Sequence, residues 1–160
     1  MATVLWDISA VRRMLDNIGR GPETRHELKQ AVAMAGFSVE RSAKQNLTRM
    51  VYSQPERGYR RTGTLRRSVH TAPPKESHSD DPERAKTSDL GGKKSGEVVG
   101  EAGDTLVVEV GSWLLYARRV HDGTGPRMTA RPYLTDALTQ NERFIEDTIV
   151  RGLTRALTHA

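Results

Sequence analysis

LKQAVAMAGFSVERSAKQNLTRM, residues 28–50, is the stretch that decides the fold class. Leu28, Ala31, Val32, Ala35, Val39, Ala43, Leu47 and Met50 recur in it at steps of three and four. That spacing puts an apolar stripe on one face of a long helix. Pro22 suits the first helical turn, and Glu23 and Glu27 follow where the helix dipole favours acids. Gly36 interrupts the stripe at a cost of about 1 kcal/mol against alanine and allows a kink. One helix over residues 22–50 would be roughly 43 Å long. A compact chain of 160 residues has a radius of gyration of about 15 Å. Such a helix spans the protomer, and its ends need something to pack on; a neighbouring subunit is one candidate.

Upstream, Val4, Leu5, Trp6 and Ile8 form a short apolar start, and Ser9 caps a brief helix through Leu15 and Ile18. Downstream, residues 54–63 read as a loop with Pro55, Gly58 and Gly63, and Thr64–Val69 as a turn running into a strand that ends at Ala72. Residues 73–96, PPKESHSDDPERAKTSDLGGKKSG, contain Leu90 as their single large apolar side chain. Such a segment buries too little to offset its ordering entropy, so it reads as a flexible insert. Residues 97–99 and 105–110 are strand-forming and flank Ala102-Gly103-Asp104, the pattern of a hairpin. A short helix over 113–120, a glycine-rich connection over 121–128 and a final helix opened by Pro132 complete the chain. That helix carries a second stripe of Leu134, Ala137, Leu138, Ile145, Ile149, Leu153 and Leu157. The order predicts an α+β fold, with a long N-terminal helix and a C-terminal helix packed on a small antiparallel sheet. Residues 1–160 read as one domain, with 73–96 its insert.

Apolar residues make up 36% of the chain, a low share that fits a partly unpacked protein or a core completed by neighbours. The absence of cysteine excludes disulfides and thiolate chemistry. No apolar run approaches the ~20 residues of a membrane span, and the N-terminus lacks the order of a signal peptide. A soluble protein made in the cytoplasm is expected. The sequon Asn46-Leu47-Thr48 lies in the helical pattern and is read as chance.

The net charge of +5 is unevenly spread. Residues 1–72 carry thirteen basic and six acidic side chains, whereas residues 73–104 carry five and eight. Arg57, Arg60, Arg61, Arg66 and Arg67 fall within eleven residues, and no acid stands between Glu56 and Glu76. This cluster is either a solvated loop, a surface for an acidic protein partner, or a contact for nucleic-acid phosphates without base reading. Tyr59 alone is a poor platform for stacking single strands.

Tests for catalytic chemistry return little. The five histidines, at 26, 70, 78, 121 and 159, have no zinc-helix spacing. Ser68 and His70, and His121 and Asp122, are neighbours in sequence, which does not make a triad. Gly91-Gly92-Lys93-Lys94-Ser95 fails as a phosphate loop, because Thr87 replaces its first glycine and Lys94 its magnesium-binding hydroxyl. Gly123-Thr124-Gly125 is not a dinucleotide fingerprint, since Met128 stands at the third glycine. It reads as a turn, and Gly123 is the better candidate for positive φ because Gly125 precedes Pro126.

Three segments in order carry a resemblance: Thr62-Gly63-Thr64-Leu65-Arg66-Arg67-Ser68-Val69; Val110-Gly111-Ser112 with Tyr116-Ala117; and His121-Asp122-Gly123-Thr124-Gly125 leading to Ala130-Arg131-Pro132-Tyr133-Leu134. Between a long helix and a C-terminal helix, they resemble the neck or tail-component family of long-tailed bacteriophages. Arg57–Arg61 and His121-Asp122 depart from the family's usual acidic or proline-rich lead-in and its glutamate. The resemblance implies a non-enzymatic structural virion protein without cofactor or metal. It implies a homo-oligomeric ring around the DNA channel at the head–tail junction, touching head-closure and tail-terminator or tail-tube proteins. Gly63, Leu65, Tyr116, Gly123, Gly125, Arg131, Pro132, Tyr133 and Leu134 are its motif residues here, with Tyr116, Tyr133 and Leu134 expected to anchor the sheet to the last helix. The competing class is a free basic nucleic-acid-binding protein, although no nucleic-acid-binding fingerprint is visible.

Overall fold

A computed structural model describes residues 22–52, 63–74, 98–102, 105–112, 114–124 and 129–158. Arg57, Arg60, Arg61, Gly125 and the polar insert beyond Pro74 lie outside the described residues. The architecture is α+β. Two helices of 26 residues, α1 (Pro22–Leu47) and α4 (Tyr133–Thr158), pack on each other. Between them in sequence come α2 (Thr64–Ser68), the strands β1 (His70–Ala72), β2 (Gly100–Ala102), β3 (Thr105–Val107) and β4 (Glu109–Gly111), and α3 (Leu115–Asp122).

The stripe on α1 is buried as its spacing requires, with Ala43 and Leu47 fully inaccessible. The helix runs unbroken through Gly36. A Cβ at Gly36 would stand 2.8 Å from a Thr71 methyl and 2.9 Å from one of Val108, so the bare backbone lets the strands approach. After Leu47 the helix widens into a π turn, Thr48–Tyr52, where Val51 stays buried and the Thr48 hydroxyl donates to the Lys44 carbonyl at 2.9 Å.

Helices α1 and α4 run antiparallel, as their contacts show. Gly152 lies against Ala31 and Glu27, Ser38 donates to Asn141 at 2.5 Å, and Asn46 donates to the Tyr133 carbonyl at 3.3 Å. Asn141 also donates to Ser42 at 2.8 Å, so a buried polar seam fixes the pairing near mid-length. The stripe expected on α4 is only partly its core face. Leu134, Ala137 and Ile145 are buried, but Leu157 is 37% exposed. Each four-residue step advances about 40° around the helix, so Ile149 and Leu153 pack half-buried at the edges of the two apolar clusters and Leu157 rotates out to solvent. Gly152 and Ala156 take the buried face there.

The sheet is a pair of short antiparallel ladders. β1 pairs with β4 (His70↔Gly111, Ala72↔Glu109) and β2 with β3 (Gly100↔Val107, Ala102↔Thr105). The expected hairpin is present, but its first strand is Gly100–Ala102 rather than 97–99, with Ala102 in the ladder instead of the turn, and its second strand breaks at Val108, where the backbone leaves the ladder and the side chain packs on α1. Gly100 abuts Pro73 and Pro74, so the chain departs after Pro74 and returns beside its point of departure. Two apolar clusters result. One joins the C-terminal half of α1 to α2, β4, α3 and α4 through Leu47, Leu65, Val69, Val110, Val120, Tyr133 and Ile145. The other joins the N-terminal half of α1 to Val98, Val99, Leu106 and Val108.

Candidate functional interface

The three motif segments meet in one corner. Thr64–Ser68 forms a helical turn entered from Gly63, whose φ of 71° lies in the left-handed region. The Arg67 amide closes the turn on the Gly63 carbonyl at 3.1 Å. Ser68 is inaccessible. Its hydroxyl donates to the Leu65 carbonyl at 2.8 Å and lies 2.6 Å from the Ser112 hydroxyl, which joins the first segment to the second. His70 is buried, and its Nδ1 lies 2.9 Å from the Ser68 carbonyl, where an Nδ1–H donates. Ser68 and His70 thus each hydrogen-bond a backbone carbonyl, and Ser68 also meets the Ser112 hydroxyl.

Helix α3 begins at Leu115, two residues later than its pattern suggested, because the Ser112 hydroxyl takes the Leu114 amide at 3.2 Å and holds the lead-in extended. It ends at Gly123, with φ of 69°, whose amide donates to the Arg119 carbonyl. A Cβ there would overlap the Ala130 backbone. The Arg131 amide donates to the carbonyls of Val120 and His121, both at 3.1 Å, tying the far end of the third segment back to the end of α3, the helix that carries Tyr116-Ala117 of the second. Pro132 then accepts from the Asp136 amide at 2.9 Å as α4 begins.

Tyr133 and Leu134 are buried at this joint, Tyr133 almost completely, and burial pushes the Tyr133 phenol up from its ordinary range. Tyr116 lies at the margin of the joint. It is 38% exposed, and Ala117 and Val120 supply the buried side of α3. His121 stands edge-on to Tyr133 at 5.4 Å. Its Nδ1 lies 2.8 Å from Asp122 and its Nε2 3.2 Å from the Thr135 hydroxyl, tying α3 to the first turn of α4. The hydrogen bond from His121, seconded by Arg118, holds the Asp122 carboxyl below its ordinary range.

Beside this corner opens a cleft of about 460 Å³, lined by Phe37, Glu40, Arg41, Lys44, Gln45, Thr48 and Arg66. Arg66 reaches it from α2, donating to the Thr48 hydroxyl at 3.3 Å, while its amide meets the Tyr52 hydroxyl at 3.4 Å. Glu40 is the cleft's carboxylate, and both its oxygens are engaged, by Lys44 at 2.5 Å and by the Thr71 hydroxyl at 2.6 Å. Arg41 has no ion pair or hydrogen bond among the described residues. The cleft therefore presents net positive charge. Of the five arginines singled out in the sequence, it contains Arg66; Arg67 is exposed on the same helical turn. Arg41 and Lys44 escaped the sequence reading, which followed the apolar stripe of α1. Their signal was the spacing of 37, 41, 44 and 48 on the opposite face.

Among the described residues no group of three or more histidines and carboxylates is placed to hold a metal ion. No described helix is long and apolar enough to cross a membrane.

With this geometry in place, the comparisons with known proteins are direct. The family model described as "Bacteriophage HK97-gp10, putative tail-component" matches residues 9–123, more than half of the chain. The chain belongs to this family of phage tail components. Its match covers α1 through Gly123, the whole cleft and the first two motif segments. No curated protein and no solved structure matches the chain. The family makes this a structural component of the phage virion, interacting with other phage structural proteins.

Proposed function

We propose that this tail component acts at the head–tail junction, or neck, as a homo-oligomeric ring around the DNA channel, where it completes the tail or joins it to the head. It does so as one domain and without catalysis. Its neighbours are the head-closure protein on one side and the tail-terminator or tail-tube protein on the other. The observation that carries this reading is the cation-lined cleft formed by α1 and Arg66, adjoining the corner where the motif segments meet. Leu65, Tyr133 and Leu134 stabilise the corner from inside, while Arg66 and Arg67 stay outside. That division suits a protein whose work is contact with other macromolecules. Cyclic symmetry would repeat each cleft into a basic band. A band facing the lumen meets DNA phosphates without sequence preference, and that contact weakens as salt rises because bound counterions are released.

The test is a phage lacking this gene, complemented with the wild-type chain or with Arg60, Arg61, Arg66 and Arg67 all changed to Gln. The null phage should accumulate unjoined heads and tails. The variant should join them with misplaced DNA if the arginines face the lumen, or leave them unjoined if they face protein. Normal particles from the null phage would end the neck reading. Light scattering at two salt concentrations, with and without duplex DNA, separates a ring from a free nucleic-acid-binding protein, which would gain mass only with DNA.

A further inference from the structure

Two exposed surfaces of this protomer complement each other and cannot meet within it. The first is the cleft on α1. Phe37, Arg41, Lys44 and Thr48 follow one another at steps of three and four, so an apolar side chain is succeeded by two cations at about 5–6 Å per turn. The second is on α4. Val150, Glu146 and Glu142 follow at steps of four, so an apolar side chain is succeeded by two carboxylates at about 6 Å per turn. Val150 is 60% exposed, and both glutamates are exposed. Neither glutamate has an ion-pair partner among the described residues, and neither has Arg41.

The packing of the helix pair keeps these columns apart. Helix α1 turns Ala31, Ser38 and Ser42 towards α4, and α4 turns Asn141 and Gly152 towards α1. Arg41 and Lys44 lie on a different side of α1, and Glu142, Glu146 and Val150 on a different side of α4.

We propose that the α1 cleft of one protomer receives the Glu142–Glu146–Val150 face of α4 from a second copy of this chain. Arg41 and Lys44 meet the two glutamates, and Val150 meets Phe37. Because the contact joins two different surfaces, it is head-to-tail, the kind of interface that closes into a ring when its rotation permits. The assignment rests on the ring reading above and gives it an interface. It also gives Arg41 and the two glutamates, which have no ion-pair partner among the described residues, an opposite charge, and this favours the correct register and disfavours a like-charged one.

The experiment is charge reversal with rescue in the full-length chain, read by sedimentation velocity over a wide concentration range. Arg41→Glu alone and Glu146→Arg alone should each weaken self-association roughly tenfold or more, and the two together should restore it. Both positions are exposed, so thermal melts should show all variants folded. In the phage, particle yield should fall with each single change and recover with both. An oligomer that forms normally in both single variants, or is not restored in the double variant, overturns the proposal while leaving the ring intact. A wild-type chain that is monomeric throughout, in particles that contain no ring, overturns both readings. Loss of DNA binding in Arg41→Glu with unchanged self-association would make the cleft a phosphate site and overturn the proposal equally.

Discussion

The two ends of the helix pair are held by different means. At one end, where α1 finishes and α4 starts, a large cluster is threaded with specific polar contacts: Ser68 with Ser112, Arg131 with the end of α3, and Asn46 with the Tyr133 carbonyl. At the other, Leu28, Val32, Val98, Val99 and Leu106 make an aliphatic cluster. Outside it Glu101 pairs with Arg25 at 2.5 Å and Lys29 at 2.7 Å. Apolar contact is tolerant of rearrangement, whereas hydrogen bonds at fixed turns are not. The first end should therefore be brittle and the second forgiving.

The largest expected effect is at Tyr133. Tyr133→Ala empties the space beneath α3 and should cost about 3–5 kcal/mol in chemical denaturation. A loss under about 1 kcal/mol would show that the corner repacks and would remove the contrast. Gly123→Val comes next. Left-handed φ adds roughly 1–2 kcal/mol for a residue bearing Cβ, and the overlap with Ala130 adds to it. An unchanged melting temperature with normal particle yield would mean that the α3–α4 turn is not fixed by Gly123. At the aliphatic end, Val98→Ala removes two methyl groups from an inaccessible site and should cost about 2 kcal/mol. Hydrogen exchange should then quicken in β2 and β3 and stay slow in α3. Loosening of both ends together would deny their independence.

Much of this contrast was legible in the sequence, and for physical reasons. The α1 stripe was readable because α4 and the strands together cover a broad face, so residues at steps of both three and four are buried. Positive φ at Gly123 was readable because Pro126 biases its rival Gly125 towards extended backbone. The last turn of α4 was misread because apolar residues at steps of four drift around the helix, and only the packing shows that Leu157 ends exposed while Gly152 and Ala156 take the buried face. Val108 was read as mid-strand because a β-branched residue fits both a ladder and the close contact with Gly36 that breaks it. The cleft was half legible. Arg66 stood out in a run of arginines, but Arg41 and Lys44 were ordinary polar positions until α2 was seen to fold against Thr48.

The smallest expected effect is in acid, where each end carries a surface carboxylate held below its ordinary range. Glu101 is held below its ordinary range first by the hydrogen bond from Lys29, then by the charges of Lys29 and Arg25. Asp122 is held low first by the hydrogen bond from His121, then by Arg118. A carboxyl whose folded pKa lies below its unfolded value stabilises the fold above the unfolded value, and that contribution disappears as pH falls through the folded one. Both contributions are therefore complete at neutral pH and decline below the usual carboxylate range of about 4. Both groups are solvent-screened, so each should shift the melting temperature only slightly. Glu101→Gln should flatten the acid side of the pH profile without moving its neutral plateau much. Asp122→Asn should flatten it and also lower the plateau, because His121 then loses the carboxylate that orients it towards Thr135. Melting curves from about pH 7 down to about pH 3 check this. Equal behaviour of the two variants would show that the His121 link contributes no more than a surface ion pair, and that the brittleness of the corner resides in Tyr133 and Gly123 alone.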